Sequence, residues 1–531
     1  MGKARRERRN EPALESRLLC SRAHAGMSFV RSHLKAARHC FALWKNRTQR
    51  PAVRVIADLC VPFLLLAFAA VLFEGCTVGP KYVRPSAEVP VAYKEVKGWE
   101  LAQPNAAAPK GEWWGVYDDP QLNSLEQQLT VSDQTLKVAQ EQFVQARAAI
   151  GIARAPEFPN VTAGMTGSHT HQSQDQALFG PTSVVNYSDV QLPLDASYEP
   201  DVWGRVRRSV EAARSEAQAS AADLASVGLS LHAELALDYF ELRGLDSESK
   251  LLNSTVVSYQ QALSLTQSRY QGGLSSELDV AQAQTQLQTT RAEAVDVGVQ
   301  RAAYEHAIAV LIGQPSANFS LQALPLTMGP PSIPISLPAD LLERRPDIAA
   351  AERRVQEANA NIGVARAAYF PTTFLTGSGG FESSTITNLL DGASGFWSLA
   401  GSAAELVFDG GARRGVNEQA RSAYRQSVDQ YRQTTLVAFQ EVEDNLAALR
   451  ILENEATIED AAVAAAQHAL DLSNTRYKGG VTSYLEVTTA QSVALNDERT
   501  AVDIATRRMT SSVLLIKALG GGWNVSQIPR M

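Results

Sequence analysis

The sequence predicts an elongated α+β protein, mainly α-helical, in which one structural unit occurs twice. Three observations lead to this prediction: matched sequence blocks, long stretches without proline, and segments in which apolar and polar residues alternate. One stretch without proline lies between Pro200 and Pro315, and another lies between Pro371 and Pro529. Because proline inside a helix costs about 3 kcal/mol, stretches of this length favour long helices.

Four blocks of sequence recur in the same order, which indicates an internal two-fold repeat. The first block, IGIARAPEFP, begins at Ile150 and returns as IGVARAAYFP from Ile362. Because the order is kept, each copy is expected to form one structural unit. The matched ranges are 150–159 with 362–371, 199–208 with 405–414, 268–284 with 475–491, and 308–314 with 516–522.

Each copy is predicted to contain one long helix, from Arg205 to Tyr270 and from Gly415 to Tyr477. At about 1.5 Å per residue each helix would run roughly 95 Å, so the helices must pair along their length as coiled coils. Each is expected to end at two glycines, after which the chain reverses into a second helix. The glycine pairs are Gly272 with Gly273 and Gly479 with Gly480, and the returning helices are expected from Ser276 to Leu311 and from Ser483 to Leu519.

Segments of strand character precede each long helix. Val190, Leu192 and Leu194 alternate with polar residues, as in a transmembrane strand with lipid on one face and water on the other, although a half-exposed soluble hairpin gives the same pattern. Four strands cannot close a barrel, since edge strands would leave backbone groups unpaired in lipid. An oligomer is therefore expected: three copies would give twelve strands, and four copies would also close. The other strand segments lie near 160–166, 370–381 and 396–408.

The N-terminal region has the features of an export signal. Residues 1–58 carry a net charge of +10 and the rest of the chain −17, and an apolar run follows from Leu59 to Phe73. The run is short for a membrane span, which favours a cleaved signal over a retained anchor; translation could begin at Met1 or at Met27. Only Cys76 among the four cysteines would remain in the mature chain, at its first position, which resembles the acylated cysteine of a bacterial lipoprotein.

The sequence gives no indication of an enzyme. It contains no phosphate loop, nucleophile elbow or CxxC motif, so no catalytic residue and no cofactor are predicted. The acidic charge of the body disfavours a nucleic-acid partner. His169 and His171 are the only closely spaced histidines after Cys76, and since no other residue with ligand spacing lies near them, no metal site is predicted.

Several motifs carry a family resemblance. They are CTVGPKYVRP from Cys76, the pair Trp113-Trp114 with Asp119-Pro120, the two blocks that end in Phe-Pro, and LPADLLERRPDI from Leu337. They resemble the outer-membrane factor family, the TolC-like efflux channels, and within it the NodT-type lipoproteins, over about residues 76–523. The resemblance implies a homotrimer with a β-barrel in the outer membrane and a long α-helical barrel in the periplasm. It also implies outer-membrane lipid, a periplasmic adaptor protein and an inner-membrane pump of the resistance-nodulation-division type as partners.

The candidate functional residues lie at the hairpin tips. Asp279 and Glu486 occupy matching places in the two copies, on the first turn of each returning helix. Acids there also favour the positive end of a helix dipole, which is the structural alternative. The resemblance implies that they form a negatively charged periplasmic gate. Leu278 and Leu485 are expected to add an apolar plug, and the implied tip contacts are Arg269, Tyr270, Arg476 and Tyr477.

The predicted function is passive export: the chain would be the outer-membrane channel component of a tripartite efflux pump for drugs, metals or other small molecules. The outer-membrane component of a type I protein secretion system is an alternative with the same architecture, and a periplasmic adaptor is an alternative with another. The predicted organisation is an N-terminal extension and signal peptide at 1–75, a lipid-anchored segment of the equatorial region at 76–125, a first repeat at 126–336, a second at 337–523 and a tail at 524–531.

Overall fold

The structure of the chain is a computed structural model. It describes residues 77–95, 111–175, 180, 183–334 and 338–531, so the predicted signal run and Cys76 lie outside the described residues. In the described part, no helix combines the length and the apolar character needed to cross a membrane.

Long helices and one small antiparallel sheet make up the described chain. The helices are α1 (Pro120–Ser132), α2 (Gln134–Arg154), α3 (Arg205–Gln271), α4 (Glu277–Leu311), α5 (Leu341–Arg344), α6 (Pro346–Ala367), α7 (Ala412–Lys478) and α8 (Tyr484–Ala518). The strands are β1 (Asn160–Ala163), β2 (Thr166–His171), β3 (Asn186–Tyr198), β4 (Thr372–Ser383) and β5 (Gly395–Ala404).

The two halves of the chain contain helices of equal length. Both α3 and α7 have 67 residues, or roughly 100 Å at 1.5 Å per residue, and both α4 and α8 have 35. The predicted helices are therefore present in order and length. α3 begins at the predicted Arg205, whereas α7 begins at Ala412, slightly before the predicted Gly415.

Both long helices begin with the same arrangement of a glycine and an upstream aspartate. A glycine with positive φ precedes each one, Gly204 at 80° and Gly411 at 92°. Upstream of it an aspartate carboxylate accepts first-turn backbone N–H groups: Asp201 from Val206 and Arg207, and Asp409 from Gly411 and Arg413. These bonds satisfy donors that have no partner inside the helix.

The helices form a layer that is centred on α3. α3 packs against α2, α4, α6 and α8, and α8 also contacts α4. α2 packs mainly against α3, and α7 packs mainly against α6 and α8. Gly244 of α3 allows α8 to approach closely, since a Cβ there would lie 2.3 Å from the Thr506 hydroxyl oxygen.

The largest apolar core lies where α1 packs against α3, and it contains a buried polar pair. His232 Nδ1 lies 2.6 Å from a Glu126 carboxylate oxygen, and the His232 ring stacks on Trp114. Burial raises the pKa of Glu126 to about 9 and lowers the pKa of His232 to about 4. The pair shares one proton across the hydrogen bond and carries no net charge at neutral pH, so it can stay in the core.

The sheet has the order β1–β3–β4–β5, with β2 also paired to β3. β1 and β2 keep a single register against β3 and are separated opposite Pro193, which accepts the Gly164 N–H but has no N–H to return the bond. They therefore act as one strand, which gives the four strand positions that the sequence predicts. The expectation that the last strand extends to Phe408 is wrong: β5 ends at Ala404. Its partner β4 begins at Thr372, which pairs with Ala404, so residues 405–408 have no strand to pair with in the described chain.

The LLERRPDI motif is a packed joint between three helices. Arg345 is 8% exposed and donates to Asp347, to Glu441 of α7 at 2.6 Å, and to the Ala518 carbonyl oxygen at the end of α8 at 3.1 Å. Pro346 is the first residue of α6, as expected from its fixed φ. Asp340 precedes α5, but its side chain makes no cap hydrogen bond to that helix.

Residues 77–95 form an extended strap along the helices. Its start is tied to the sheet end of α3, where Val78 N–H donates to the Trp203 carbonyl oxygen. Its far end lies on α7, where the backbone N–H groups of Lys94 and Glu95 both donate to the Glu443 carboxylate. The strap therefore follows the helical layer away from the sheet.

Replacing Arg345 with Met should lower the free energy of unfolding by about 2–4 kcal/mol. Breaking a fully buried ion pair costs about 3–5 kcal/mol, and the partly solvated carboxylates of Asp347 and Glu441 reduce that cost here. Arg344→Met is the matched control and should change the free energy by less than about 0.5 kcal/mol, because Arg344 makes only a 3.9 Å surface contact. Chemical denaturation in detergent tests both; equal losses would contradict the joint.

Candidate functional site

The strand register gathers apolar side chains from β1, β3, β4 and β5 on one face of the sheet. On the paired rows, Leu194 lies opposite Gly379, which lies opposite Trp397 on β5, and Tyr198 lies opposite Leu375. The other face of the same strands carries polar residues such as Gln191, Asp195, Ser378 and Glu382. This is the pattern of a transmembrane strand set with lipid on one side and water on the other.

Much of the apolar face is exposed in the single chain. Trp397 and Leu399 are 78% and 79% exposed, and Leu194 and Leu375 are about half exposed. The alternation of apolar and polar residues is weak in the second copy, because Gly377 and Gly379 occupy positions on the apolar face. Only the strand register, which pairs them with Leu399 and Trp397, shows that they belong to this face. A contiguous exposed apolar surface of this kind indicates contact with membrane or protein.

The tips of the two helical hairpins pack against each other. Tyr477 at the end of α7 and Tyr484 at the start of α8 are buried with their ring centroids 5.2 Å apart. They contact Tyr259 and Leu263 of α3 in a small apolar cluster. The Tyr477 hydroxyl also forms a 3.0 Å hydrogen bond with the Ser275 hydroxyl of the first tip.

Arg269 joins the first tip to the second. Its guanidinium donates to the Lys478 carbonyl oxygen at 3.0 Å and lies 5.0 Å from the centre of the Tyr477 ring. The carbonyl is one of those left without a partner at the end of α7, so the bond also caps that helix. The structure thus brings together two of the predicted tip contacts, Arg269 and Tyr477.

The corresponding residues of the other copy are placed differently. Tyr270 is 46% exposed, and Arg476 approaches only Glu486, at 4.0 Å. The duplicated positions therefore have unequal surroundings within one chain. Leu278 and Leu485 both project from the first turns of their helices and are exposed.

The glycine pairs lie at the two turns, and their members have different roles. Gly273 and Gly480 have φ of 73° and 74°, whereas the preceding Gly272 and Gly479 have negative φ. In the first turn, Leu274 N–H donates to the Arg269 carbonyl oxygen, which is the bond of a Schellman motif. Only the second glycine of each pair is thus required by backbone conformation.

Asp279 is engaged in capping its own helix. Its carboxylate accepts the Ser276 backbone N–H at 2.9 Å and the Ser275 hydroxyl at 2.9 Å, while the Ser276 hydroxyl accepts the Asp279 N–H at 3.2 Å. Although partial burial raises it, the pKa of Asp279 is lowered overall by these bonds and by the backbone N–H of Tyr484. This capping box gives Asp279 the structural role that was the alternative to a gate acid.

Glu486 occupies the same place in the second copy without that engagement. It is exposed and lies on the first turn of α8, where the N-cap residue Ser483 makes no side-chain cap bond. Its carboxylate is thus available to solvent and ions. Sequence reasoning missed the capping role of Ser275 and Ser276 and the burial of Tyr484. The pattern Ser-x-x-acid occurs in both copies, from Ser276 to Asp279 and from Ser483 to Glu486, but only the first forms a capping box.

Comparison with known proteins identifies the family to which the chain belongs. A model of the family described as outer membrane efflux protein matches residues 125–314 and 337–521. The chain belongs to the outer membrane efflux protein family. Its function is that of an outer-membrane component of tripartite efflux, which confirms the function predicted from the sequence. The outer membrane is also the predicted location, and members of this family are channel proteins rather than enzymes.

Individual relatives span nearly the same length as this outer membrane efflux protein. The toluene efflux pump outer membrane protein TtgI of Pseudomonas putida is 31% identical over 463 residues, covering 87% of this chain and 98% of the relative. Outer membrane protein OprJ of Pseudomonas aeruginosa is 32% identical over 460 residues, covering 86% and 95%. The solved outer-membrane channel OprN superimposes with a TM-score of 0.79 at 29% identity, covering 84% of this chain and all of that one. The predicted TolC-like fold class is thereby confirmed.

Proposed function

We propose that the chain forms a homotrimeric, lipid-anchored export duct with a gate at the hairpin tips. The observation that carries this proposal is the apolar face of a sheet whose two outer strand positions, β1/β2 and β5, have no partner within the described chain. Backbone groups on such edges cannot remain unpaired in lipid. Closing the sheet with further copies removes both edges.

Three copies account for the sheet and for the helices together. Four strand positions per chain become twelve in a trimer. α7 then packs against α2 of the next copy, since α2 packs mainly against α3 within the chain and most of its residues are not buried. The result is a β-barrel in the outer membrane that continues as a helical barrel in the periplasm. In this arrangement 76–125 is the anchored segment of the equatorial region, 126–336 and 337–523 are the two repeats, and 524–531 is the tail.

The start of the strap supports lipidation of Cys76. Thr77 lies against Gly204, where a Cβ would be 2.7 Å from the Thr77 methyl carbon, and Val78 is bonded to Trp203. Trp203 and Gly204 lie between the end of β3 and the start of α3, so the start of the strap is at the border between the sheet and the helices. A lipid on Cys76, one residue earlier, would therefore enter the inner leaflet beside the sheet.

The tip geometry supports Glu486 as the main gate acid. In a trimer the six hairpin tips converge, and three exposed Glu486 carboxylates near one axis would attract cations. Asp279 is less accessible to a cation, because it is less exposed than Glu486 and one of its carboxylate oxygens already accepts hydrogen bonds from Ser275 and Ser276. Arg269 and Tyr477 hold the two tips of each chain together, and Tyr270, Arg476, Leu278 and Leu485 are left to contact neighbouring copies.

Small apolar molecules are the proposed substrates, driven by an inner-membrane pump of the resistance-nodulation-division type through a periplasmic adaptor. Support comes from the relatives, of which TtgI is named for toluene efflux. A type I protein secretion system would use the same duct. The efflux function is favoured because relatives that cover 87% of the chain, such as TtgI, are named as efflux pump components.

Glu486→Gln should lower the preference for cations over anions in planar bilayers, because it removes the exposed carboxylate proposed to line the gate. The matched control is Glu277→Gln, an exposed acid on the first turn of the other returning helix. The measurement is the reversal potential across a KCl gradient with protein reconstituted in one orientation. A Glu486→Gln channel with the reversal potential of the parent protein would show that Glu486 does not line the pore.

The mature protein should begin at an acylated Cys76. Cells fed a labelled fatty acid should yield labelled protein, and Cys76→Ser should abolish the label while the protein still inserts in the outer membrane, since the sheet supplies most of the membrane burial. Intact mass spectrometry gives the modified N-terminus. A mature chain that retains Glu74 and Gly75 would disprove the anchor.

A further inference from the structure

We infer that His169 and His171 form a binding site for a divalent d-block cation, such as Cu²⁺ or Ni²⁺, at the end of the sheet farthest from the helices. The two residues are separated by one position on β2, so both side chains project from the same face. Both are exposed. Neutral imidazole is the protein ligand that such cations prefer.

The neighbouring strand prepares each imidazole for this role. His171 Nδ1 lies 2.6 Å from the Asn186 side-chain oxygen, and His169 Nδ1 lies 2.9 Å from the Ser188 hydroxyl. An amide oxygen only accepts, so His171 donates from Nδ1 and its Nε2 keeps the lone pair. The Ser188 hydroxyl can accept from His169 in the same way. Metal-binding histidines are commonly oriented through their second nitrogen by such a partner.

The position on the sheet leaves the site open to water. Along this face the apolar rows end where Gly167 pairs with Val190, and the next row pairs His169 with Ser188. The histidines therefore lie just beyond the apolar band. Two imidazole ligands leave the remaining coordination positions to water. A bound cation would join His169 to His171 at the end of β2.

The coordination chemistry selects the class of cation. The site offers two nitrogen ligands and no carboxylate among its paired residues, which disfavours Mg²⁺ and Ca²⁺. For nitrogen ligands, affinity rises from Mn²⁺ to Cu²⁺ across the divalent series. Cu²⁺ is therefore the most suitable probe, because its paramagnetism also reports the number of bound imidazoles.

The test uses the mature full-length protein in detergent, purified without a histidine tag and titrated with Cu²⁺. Wild-type protein should bind one Cu²⁺ per chain with the pulsed-EPR signature of two imidazole nitrogens. His169→Gln with His171→Gln should abolish this signal. Asn186→Ala should weaken binding roughly 10-fold, since it removes the partner that orients His171.

The matched control replaces His306 and His468, two exposed histidines that lie far apart in the sequence. This variant loses the same number of imidazoles and should bind Cu²⁺ as the parent protein does. All variants should retain the parent reversal potential in bilayers, which verifies folding independently. Unchanged Cu²⁺ binding in the His169/His171 variant, or a single-imidazole signal in the parent protein, would overturn the proposal.

Discussion

Two helices that are too long to bury their own surfaces impose the rest of this architecture. A helix of roughly 100 Å has no globular core to lie on, so it is stabilised by neighbours that run beside it. Within the chain, α3 packs against α2, α4, α6 and α8, whereas α7 packs mainly against α6 and α8. The sheet is incomplete in the same way, because its outer strands, β1/β2 and β5, each lack a partner on one side in the described chain. In a single chain, α7 thus lacks part of its packing and the sheet has two open edges. Lateral contact with further copies of the chain would complete both.

The two matching hairpins of the chain differ in the contacts that they make. Asp279 caps α4 through Ser275 and Ser276, whereas Glu486, at the matching place of α8, is left exposed. Arg269 is bonded across the tips, whereas Arg476 makes only a long contact with Glu486. This divergence is expected when one hairpin meets its neighbour within the chain and the other meets a neighbour from another copy.

The sequence predicted the repeat units, the long helices and the turns because these depend on local properties: proline exclusion, helix propensity and the conformational freedom of glycine. It was less informative about the second-copy strands, since Gly377 and Gly379 hide the apolar face until the register pairs them with Leu399 and Trp397. It also could not separate Tyr270 from Tyr477, or Asp279 from Glu486. Those differences depend on tertiary contacts with Arg269 and Ser275 that matching motifs do not encode.

The central claim is that two further copies of the same chain close the sheet into a barrel and complete the packing of the helices. Native mass spectrometry of the full-length mature protein, released from detergent micelles, measures the number of copies directly. The account predicts a single assembly with three times the mass of the mature chain, because three copies supply twelve strands and six hairpins. A monomer that remains folded, or an assembly of four copies, would contradict it.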